Sequence, residues 1–500
     1  MAVTTAGHVA GVVQGSTVAW QGVPYGAPTS GERRFQPPEP PASWDGVRPA
    51  TAFGFSAPQP MSALQVVEGG SFGEASEDCL YLNVYAPLDR PPEAPLRPVM
   101  VWIHGGAFVA GAGSSRWYDG SRFASGGEVV VVTLNYRLGA LGFLDLASIA
   151  GDRFESSGVC GLLDQLAALR WVQDNIASFG GDPDRVTVFG ESAGAMSIGA
   201  MLAMPAARGL FRQAILQSGA NTSYRTPAEA AEVTEQLLTA FGGSLEQLLA
   251  APAADVIQAQ FLMTQGSLTS SYLAFRPAVG GPDLPTPPDD AGALGDGFDG
   301  PVLIGTNKNE MSLFMAFDPA MMAMSPDQLD ARGAELAGPY PWPSLEQHYR
   351  HAYPGEDASL RLYAVATDAL FRIPALRLAE HQAASPRGAA HGVWMYRFDW
   401  PTPFGDGRLG ATHALDIPFV WDLVDLPGIT VFTGDSPDRH ALARAMHTAW
   451  TAFAVSGDPS TQLLAWPRYE DPDRATMVFD AESRVTNDPD GTERRLWMAS

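Results

Sequence analysis

Five short runs of continuous apolar residues constrain this chain more than any other feature. They are PVMVWI (Pro98–Ile103), VVVVTLNY (Val129–Tyr136), RVTVF (Arg185–Phe189), PVLIG (Pro301–Gly305) and VWMYRF (Val393–Phe398). Strands without polar alternation bury both faces, as in a parallel sheet covered by helices. Between the second and third runs, Leu162, Leu166, Leu169, Val172, Ile176 and Phe179 recur at spacings of three and four. That pattern predicts a helix with one apolar stripe. Gly180-Gly181 predicts its end, because glycine accepts the left-handed cap shape, and Pro183 follows just beyond. Strand, helix, strand is the unit of a doubly wound α/β fold.

The rest of the chain fits around that core. Residues 1–95 are rich in Pro and Gly, with short alternating segments such as STVAW, and predict a small N-terminal antiparallel extension of edge strands and loops. Residues 96–310 carry most of the strand signals and form the expected catalytic core. GGPDLPTPPDDAGALGDGFDG (Gly280–Gly300) reads as a loop. Residues 311–390 read mostly helical, a candidate cap, and 391–500 return to the core. The expected organisation is a single domain over 1–500. With 46% hydrophobic and 17% charged residues, the chain can bury a large core, which excludes disorder.

The formal net charge of −24 repels phosphate backbones and argues against a nucleic-acid partner. No run of about 18 apolar residues is present, so no membrane span is expected. The start, MAVTTAGHVAGVVQGS, lacks a basic segment followed by a continuous apolar one, so no secretory signal is expected. Cys79 and Cys160 lie in no metal or redox spacing. Few cysteines suit a reducing compartment, and a cytoplasmic protein is the expectation.

Two stretches match Gly-x-Ser-x-Gly: GGSFG (Gly69–Gly73) and GESAG (Gly190–Gly194). The motif has meaning only where a strand runs into a sharp turn and then a helix, which lifts the serine above the sheet. Ser71 has no helix behind it and reads as a loop residue. Ser192 has RVTVF before it and AGAMSIGAMLAM after it, so it is the candidate nucleophile. The helix start beneath it favours developing negative charge. Upstream, IHGGAF (Ile103–Phe108) follows the first strand run. Such a turn supplies one backbone oxyanion donor, and Ala193, after the serine, supplies another.

A serine also needs a base. Chain order in this fold is serine, acid, histidine, which removes His8 and His104 and leaves seven histidines. His440 and His447 lie on a helical pattern, and His391 begins a strand. His413, in LGATHALDIPFVW, sits in a glycine-preceded loop; His348, His351 and His381 stay open. Among many acids, Glu310 follows a strand run, in PVLIGTNKNEMSLF, where active-site residues of open sheets gather.

With these residues in view, the chain resembles the type-B carboxylesterase family, the cholinesterase-like branch of the α/β-hydrolases, particularly its bacterial members. The resemblance rests on WQGVPYGAPTSGERRFQPPEP, SEDCLYLNVYAP, VMVWIHGGAF, NYRLGALGFL, GLLDQLAALRWVQDNIASFGGDP, VTVFGESAGAMS, AILQSGA, IGTNKNE, TDALFRIPALRLAE and THALDIPFVW. It implies an α/β-hydrolase fold with a mostly parallel central sheet flanked by helices. It implies Ser192, Glu310 and His413 as the triad and the N–H groups of Gly106, Ala107 and Ala193 as the oxyanion hole. It also implies a buried polar network of Glu191, Ser218 and Asp416 behind the histidine, and structural ion pairs Arg34–Glu77 and Arg137–Asp164. Secreted relatives pair the cysteine of EDCLYLN with an upstream partner; no cysteine precedes Cys79 here.

The implied activity is hydrolysis of small to medium uncharged carboxylic esters through an acyl-enzyme, without metal or organic cofactor. A carbamate or aryl-amide substrate would use the same chemistry. A non-catalytic binding protein on this scaffold would lack a triad member, and none is lacking. Phe108, Phe314, Phe317 and Trp400 are candidates for lining an acyl or alcohol pocket, against the alternative that they are core. The Met-rich stretch Phe314–Met324 is an adaptable wall or an inward-packing cap helix. A monomer or homodimer is compatible with all of this.

Overall fold

The structure is a computed structural model. It describes residues 1–61, 65, 70, 72–89, 91, 93–264, 273–295, 297–315, 318, 321, 324–355 and 357–498. Ser71 and Phe317 lie outside the described residues. The chain forms two compact units. One comprises Met1–Ile215, Asn221–Gly295 and Thr451–Asp458; the other comprises Leu216–Ala220, Asp296–Trp450 and Pro459–Ser500.

In the first unit the strand order is Val12–Gln14, Thr17–Pro24, Tyr81–Pro87, Val130–Leu134, Arg97–Ile103, Gly181–Glu191. The first three pairings are antiparallel and the last two parallel. Every side chain of Val130–Leu134 is buried, as its unbroken apolar run requires. The N-terminal extension is present, but with mixed pairing. Ala2–Val3 pairs antiparallel with His8–Ala10, which pairs parallel with Val47–Pro49.

The predicted helix runs Cys160–Asn175 and tightens into a 3-10 turn, Ile176–Phe179. Gly180 caps it at φ +89°, and the strand begins at Gly181. Its burial is wider than one stripe: Asp164, Gln165 and Trp171 are buried along with the leucines. Period analysis reads only apolar side chains, so buried polar ones on the flanks escaped it. Leu162, Leu166, Leu169 and Val172 are each fully buried, worth about 1.5–3 kcal/mol apiece.

In the second unit, Val302–Asn307, Val393–Phe398 and Ala475–Phe479 pair parallel in that order, and Arg484–Asn487 adds an antiparallel edge. Helices dominate residues 311–390. Their starts follow local chemistry: Ser325 accepts from Gln328 N–H while the Gln328 side chain returns to Ser325 N–H. Asp357 and Ser385 cap the helices Ala358–Thr367 and Pro386–His391 by accepting from Leu360 and Gly388 N–H, without the return bond. His391 therefore ends a helix rather than beginning a strand; Gly392, at φ +100°, separates it from Val393. The stretch 280–300 is mostly turns, with one short helix, Ala291–Leu294.

Candidate active site

In the first unit a serine stands where a strand is forced into a helix. The strand Gly181–Glu191 ends one residue before Ser192, and the buried helix Ala193–Ala203 opens one residue after. Ser192 has φ +54° and ψ −123°. A non-glycine residue held there carries strain of about 1–3 kcal/mol, the cost of so sharp a strand-to-helix turn. The motif glycines have a steric reason. A Cβ on Gly190 would lie 2.7 Å from Ile103 O, and one on Gly194 only 1.9 Å from the same atom. The elbow is pressed against the end of the neighbouring Arg97–Ile103 strand.

That strand leads into the HGG turn. Gly106, Ala107 and Phe108 have φ of +108°, +56° and +62°, and the N–H groups of Val109 and Ala110 both donate to Gly106 O at 3.0 Å. A Cβ on Gly105 would lie 2.7 Å from Glu191 Oε2 and 3.1 Å from Ser192 Cβ, so turn and elbow touch. Among the described residues, nothing accepts from the N–H groups of Gly106, Ala107 or Ala193. Ala107 and Ala193 are buried and Gly106 is half-buried, and buried amides without a partner are rare in folded proteins.

The turn is supported from below. The Tyr136 hydroxyl donates to His104 O at 2.9 Å, and the two rings stack 4.5 Å apart. His104 Nδ1 lies 2.8 Å from Gly105 O, which only accepts, so Nδ1 carries the hydrogen. Complete burial pushes the His104 imidazole down to about 4, and it is neutral at physiological pH.

Both implied ion pairs form. Arg34 Nε and Nη2 donate to Glu77 at 2.7 and 2.5 Å. Arg137 Nε and Nη2 donate to Asp164 at 2.8 and 2.7 Å, and Arg137 N–H adds a third bond at 3.0 Å. Cys79 and Cys160 are buried free thiols; burial pushes the Cys160 thiol up to about 11.

In the second unit, Glu310 Oε2 accepts from His413 Nδ1 at 2.6 Å, with both side chains buried. Glu310 Oε1 accepts from Asn307 N–H at 2.7 Å. Both carboxylate oxygens are thus engaged, which fixes the plane of the acid. Asn307 Nδ2 also holds Thr412 O at 2.7 Å, next to the histidine. The Ser312 hydroxyl bridges the acid turn to the histidine loop through Thr412 Oγ1 at 2.8 Å. Phe314 and Phe371 place their rings 4.9 and 5.0 Å from the His413 ring.

Asp416 is fully buried and accepts from Gln217 Nε2, Tyr396 hydroxyl and Asn307 Nδ2 at 2.8, 3.1 and 3.3 Å. Burial pushes its carboxyl upward; these donors oppose that, and nearby Glu310 adds to it. Ser218 follows the strand Gln213–Gln217 with φ +52°, and its buried hydroxyl has no hydrogen-bond partner among the described residues. The Asp416 cluster is therefore built with Gln217, Tyr396 and Asn307, not with Ser218. Glu191 belongs to the first unit, against Gly105.

Of the remaining pocket candidates, Phe108 is fully buried against Phe143, and Trp400 donates to Thr433 O at 2.9 Å while packing on Phe419. Phe314 is partly exposed. A cleft of about 640 Å³ in the first unit, lined by Arg48, Phe53, Phe55, Phe72, Glu74 and Tyr81 among others, contains none of the candidate residues. Among the described residues no cluster of His, Cys, Asp or Glu suits a metal ion. Among the described residues no helix is long and apolar enough to cross a membrane.

Several functional contacts escaped sequence reasoning. Asn307, Gln217 and Phe371 lie inside the IGTNKNE, AILQSGA and TDALFRIPALRLAE blocks. No local pattern there says which side chain turns toward the acid or the histidine.

A mostly parallel sheet flanked by helices, with a strained strand–serine–helix elbow, defines an α/β-hydrolase. The sequence profile of the carboxylesterase family matches residues 1–497. The chain is 42% identical to a para-nitrobenzyl esterase of Bacillus subtilis (strain 168), over 99% of this chain and 98% of that protein. It is 36% identical to a phenmedipham hydrolase of Pseudarthrobacter oxydans, over 96% and 94%. The crystal structure of the Geobacillus stearothermophilus carboxylesterase EST55 at pH 6.2 matches it with a TM-score of 0.88 at 42% identity, covering 99% of each chain. The chain belongs to the carboxylesterase family and is a serine carboxylesterase, a carboxylic ester hydrolase.

Proposed function

We propose that the chain hydrolyses small to medium uncharged carboxylic esters with Ser192 as nucleophile, His413 as general base and Glu310 as the acid that orients it. The observation that carries this reading is the buried 2.6 Å bond between His413 Nδ1 and Glu310 Oε2. A carboxylate so placed holds the imidazole with its hydrogen on Nδ1, leaving Nε2 basic, and stabilises the imidazolium. Ser192 Oγ attacks the ester carbonyl as its proton passes to His413 Nε2. The carbonyl oxygen becomes an oxyanion that accepts from Gly106, Ala107 and Ala193 N–H. The C–O bond to the alcohol breaks, and the alcohol leaves with the proton from His413. Water, deprotonated by His413, attacks the acyl-enzyme; the carboxylic acid departs and Ser192 recovers its proton.

Phe314, partly exposed beside the His413 ring, is the aromatic residue assigned here to the substrate wall. The buried free thiols support action in a reducing cytoplasm, and the named bacterial relatives support a bacterial source. The net charge of −24 disfavours polyanionic substrates and a nucleic-acid partner.

Ser192→Ala should lower turnover of a chromogenic aryl ester to the residual that binding and the oxyanion donors supply, about 10³–10⁴-fold over water. A rate close to wild type in that variant would refute the assignment.

A further inference from the structure

Glu310 sits on a turn with no helix or strand of its own, so something must hold it. The histidine loop holds one side: Asn309 N–H donates to Ala411 O at 2.9 Å, and the Ser312 hydroxyl reaches Thr412. The other side is held by a different element. The helices Ala358–Thr367 and Ile373–Ala384 are joined by a single π-helical turn, Asp368–Arg372. Thr367, just before it, accepts from Met311 N–H at 3.1 Å. Arg372, its last residue, donates through Nη2 to Lys308 O at 2.7 Å. The two grips fall on either side of Glu310, one residue after it and two before.

The π geometry makes this double grip possible. Positions five apart in a regular α-helix point about 140° away from each other. A wider π turn brings them toward one face. Thr367 and Arg372 are five apart, and both reach the acid turn. Such a turn costs helix regularity, so something must stabilise it. Arg372 is buried and paired with Asp368, which also accepts from the Tyr349 hydroxyl, and Trp497 Nε1 donates to that hydroxyl at 2.8 Å. Arg372 Nε lies 3.5 Å from Asp490. The turn also sets Phe371 against the His413 ring at 5.0 Å.

The geometry points to the Thr367–Arg372 turn as a positioning element for the catalytic acid, with Thr367 and Arg372 as positioning residues that set the Glu310–His413 bond through the backbone at Met311 and Lys308. This rests on the triad reading above. Neither residue touches substrate. Their effect should appear in turnover and in the acid–histidine bond rather than in substrate affinity.

The test uses the full chain with Thr367→Val, which keeps shape but removes the acceptor, Thr367→Ser, which keeps the hydroxyl, and Arg372→Lys. Misplacement of a catalytic group by about 1 Å costs on the order of 100-fold. Thr367→Val should therefore lower kcat by about 10–100-fold with KM within about twofold. Thr367→Ser should recover most of the loss. The downfield proton resonance of the His413 Nδ1–H bond should shift upfield or broaden in Thr367→Val and in Arg372→Lys. It should stay in place in Ser192→Ala, where turnover is lost. An unchanged resonance and kcat in folded Thr367→Val, or a loss that Thr367→Ser does not recover, overturns the inference. If Thr367→Val does not fold, an unchanged resonance in Arg372→Lys does the same. Absence of ester turnover in the wild-type chain would instead overturn the esterase reading.

Discussion

Replacing Glu310 by glutamine tests the site most directly, because both oxygens of that carboxylate are committed. Oε1 accepts from Asn307 N–H at 2.7 Å and Oε2 accepts from His413 Nδ1 at 2.6 Å. Glutamine has one acceptor and one donor at its tip. If its oxygen stays on Asn307, its NH₂ faces His413 Nδ1 and the imidazole must carry its hydrogen on Nε2. Nε2 then cannot take the serine proton. If the amide flips, its NH₂ faces Asn307 N–H in a buried site, leaving a donor unpaired at about 1–3 kcal/mol. The first arrangement avoids that cost and dominates. The wrong tautomer in a serine triad lowers kcat about 10⁴-fold, or about 5.4 kcal/mol of barrier. Initial rates on a para-nitrophenyl ester, with the thermal transition as a control for folding, measure the effect. A folded Glu310→Gln within tenfold of wild type would show that Glu310 does not orient the base.

Three further expectations follow from packing and charge. Gly194→Ala places a Cβ 1.9 Å from Ile103 O, so the elbow must move, and activity should fall on the order of 100-fold or more; normal rates would mean the elbow tolerates bulk. Asp164→Asn leaves the buried Arg137 guanidinium without its charge partner and should cost about 3–5 kcal/mol in urea unfolding; a loss under 1 kcal/mol would contradict it. His104 has a folded value of about 4 against an ordinary 6.5, so the unfolded chain takes up a proton that the folded chain resists. Stability present at neutral pH is therefore lost as pH falls through that window, by roughly 3 kcal/mol. Between pH 7 and 4, wild type should lose about that much more than His104→Gln; parallel profiles would refute it.

The local units were legible because each is specified by short-range physics. The Val393–Phe398 strand, the Gly180 cap and the strand–Ser192–helix elbow each need only a dozen or fewer neighbouring residues. The two Gly-x-Ser-x-Gly matches separated on the same ground, although Ser71 lies outside the described residues. The histidine was harder: composition left seven candidates, and family blocks, not spacing, selected His413. Glu310 was legible only as an acid after a strand.

The sequence by itself determined the fold class, the strand–Ser192–helix elbow and the glycine turn, since unbroken apolar runs and obligatory glycines are constraints on the chain's own backbone. Tertiary structure alone decided the rest. It put Asn307 Nδ2, Gln217 and Tyr396 on Asp416, left Ser218 out of that cluster, and wedged a π turn against the acid. Those contacts join residues tens to hundreds of positions apart. Their partners are chosen by which buried donor meets which buried acceptor, and that choice exists only once the chain is packed.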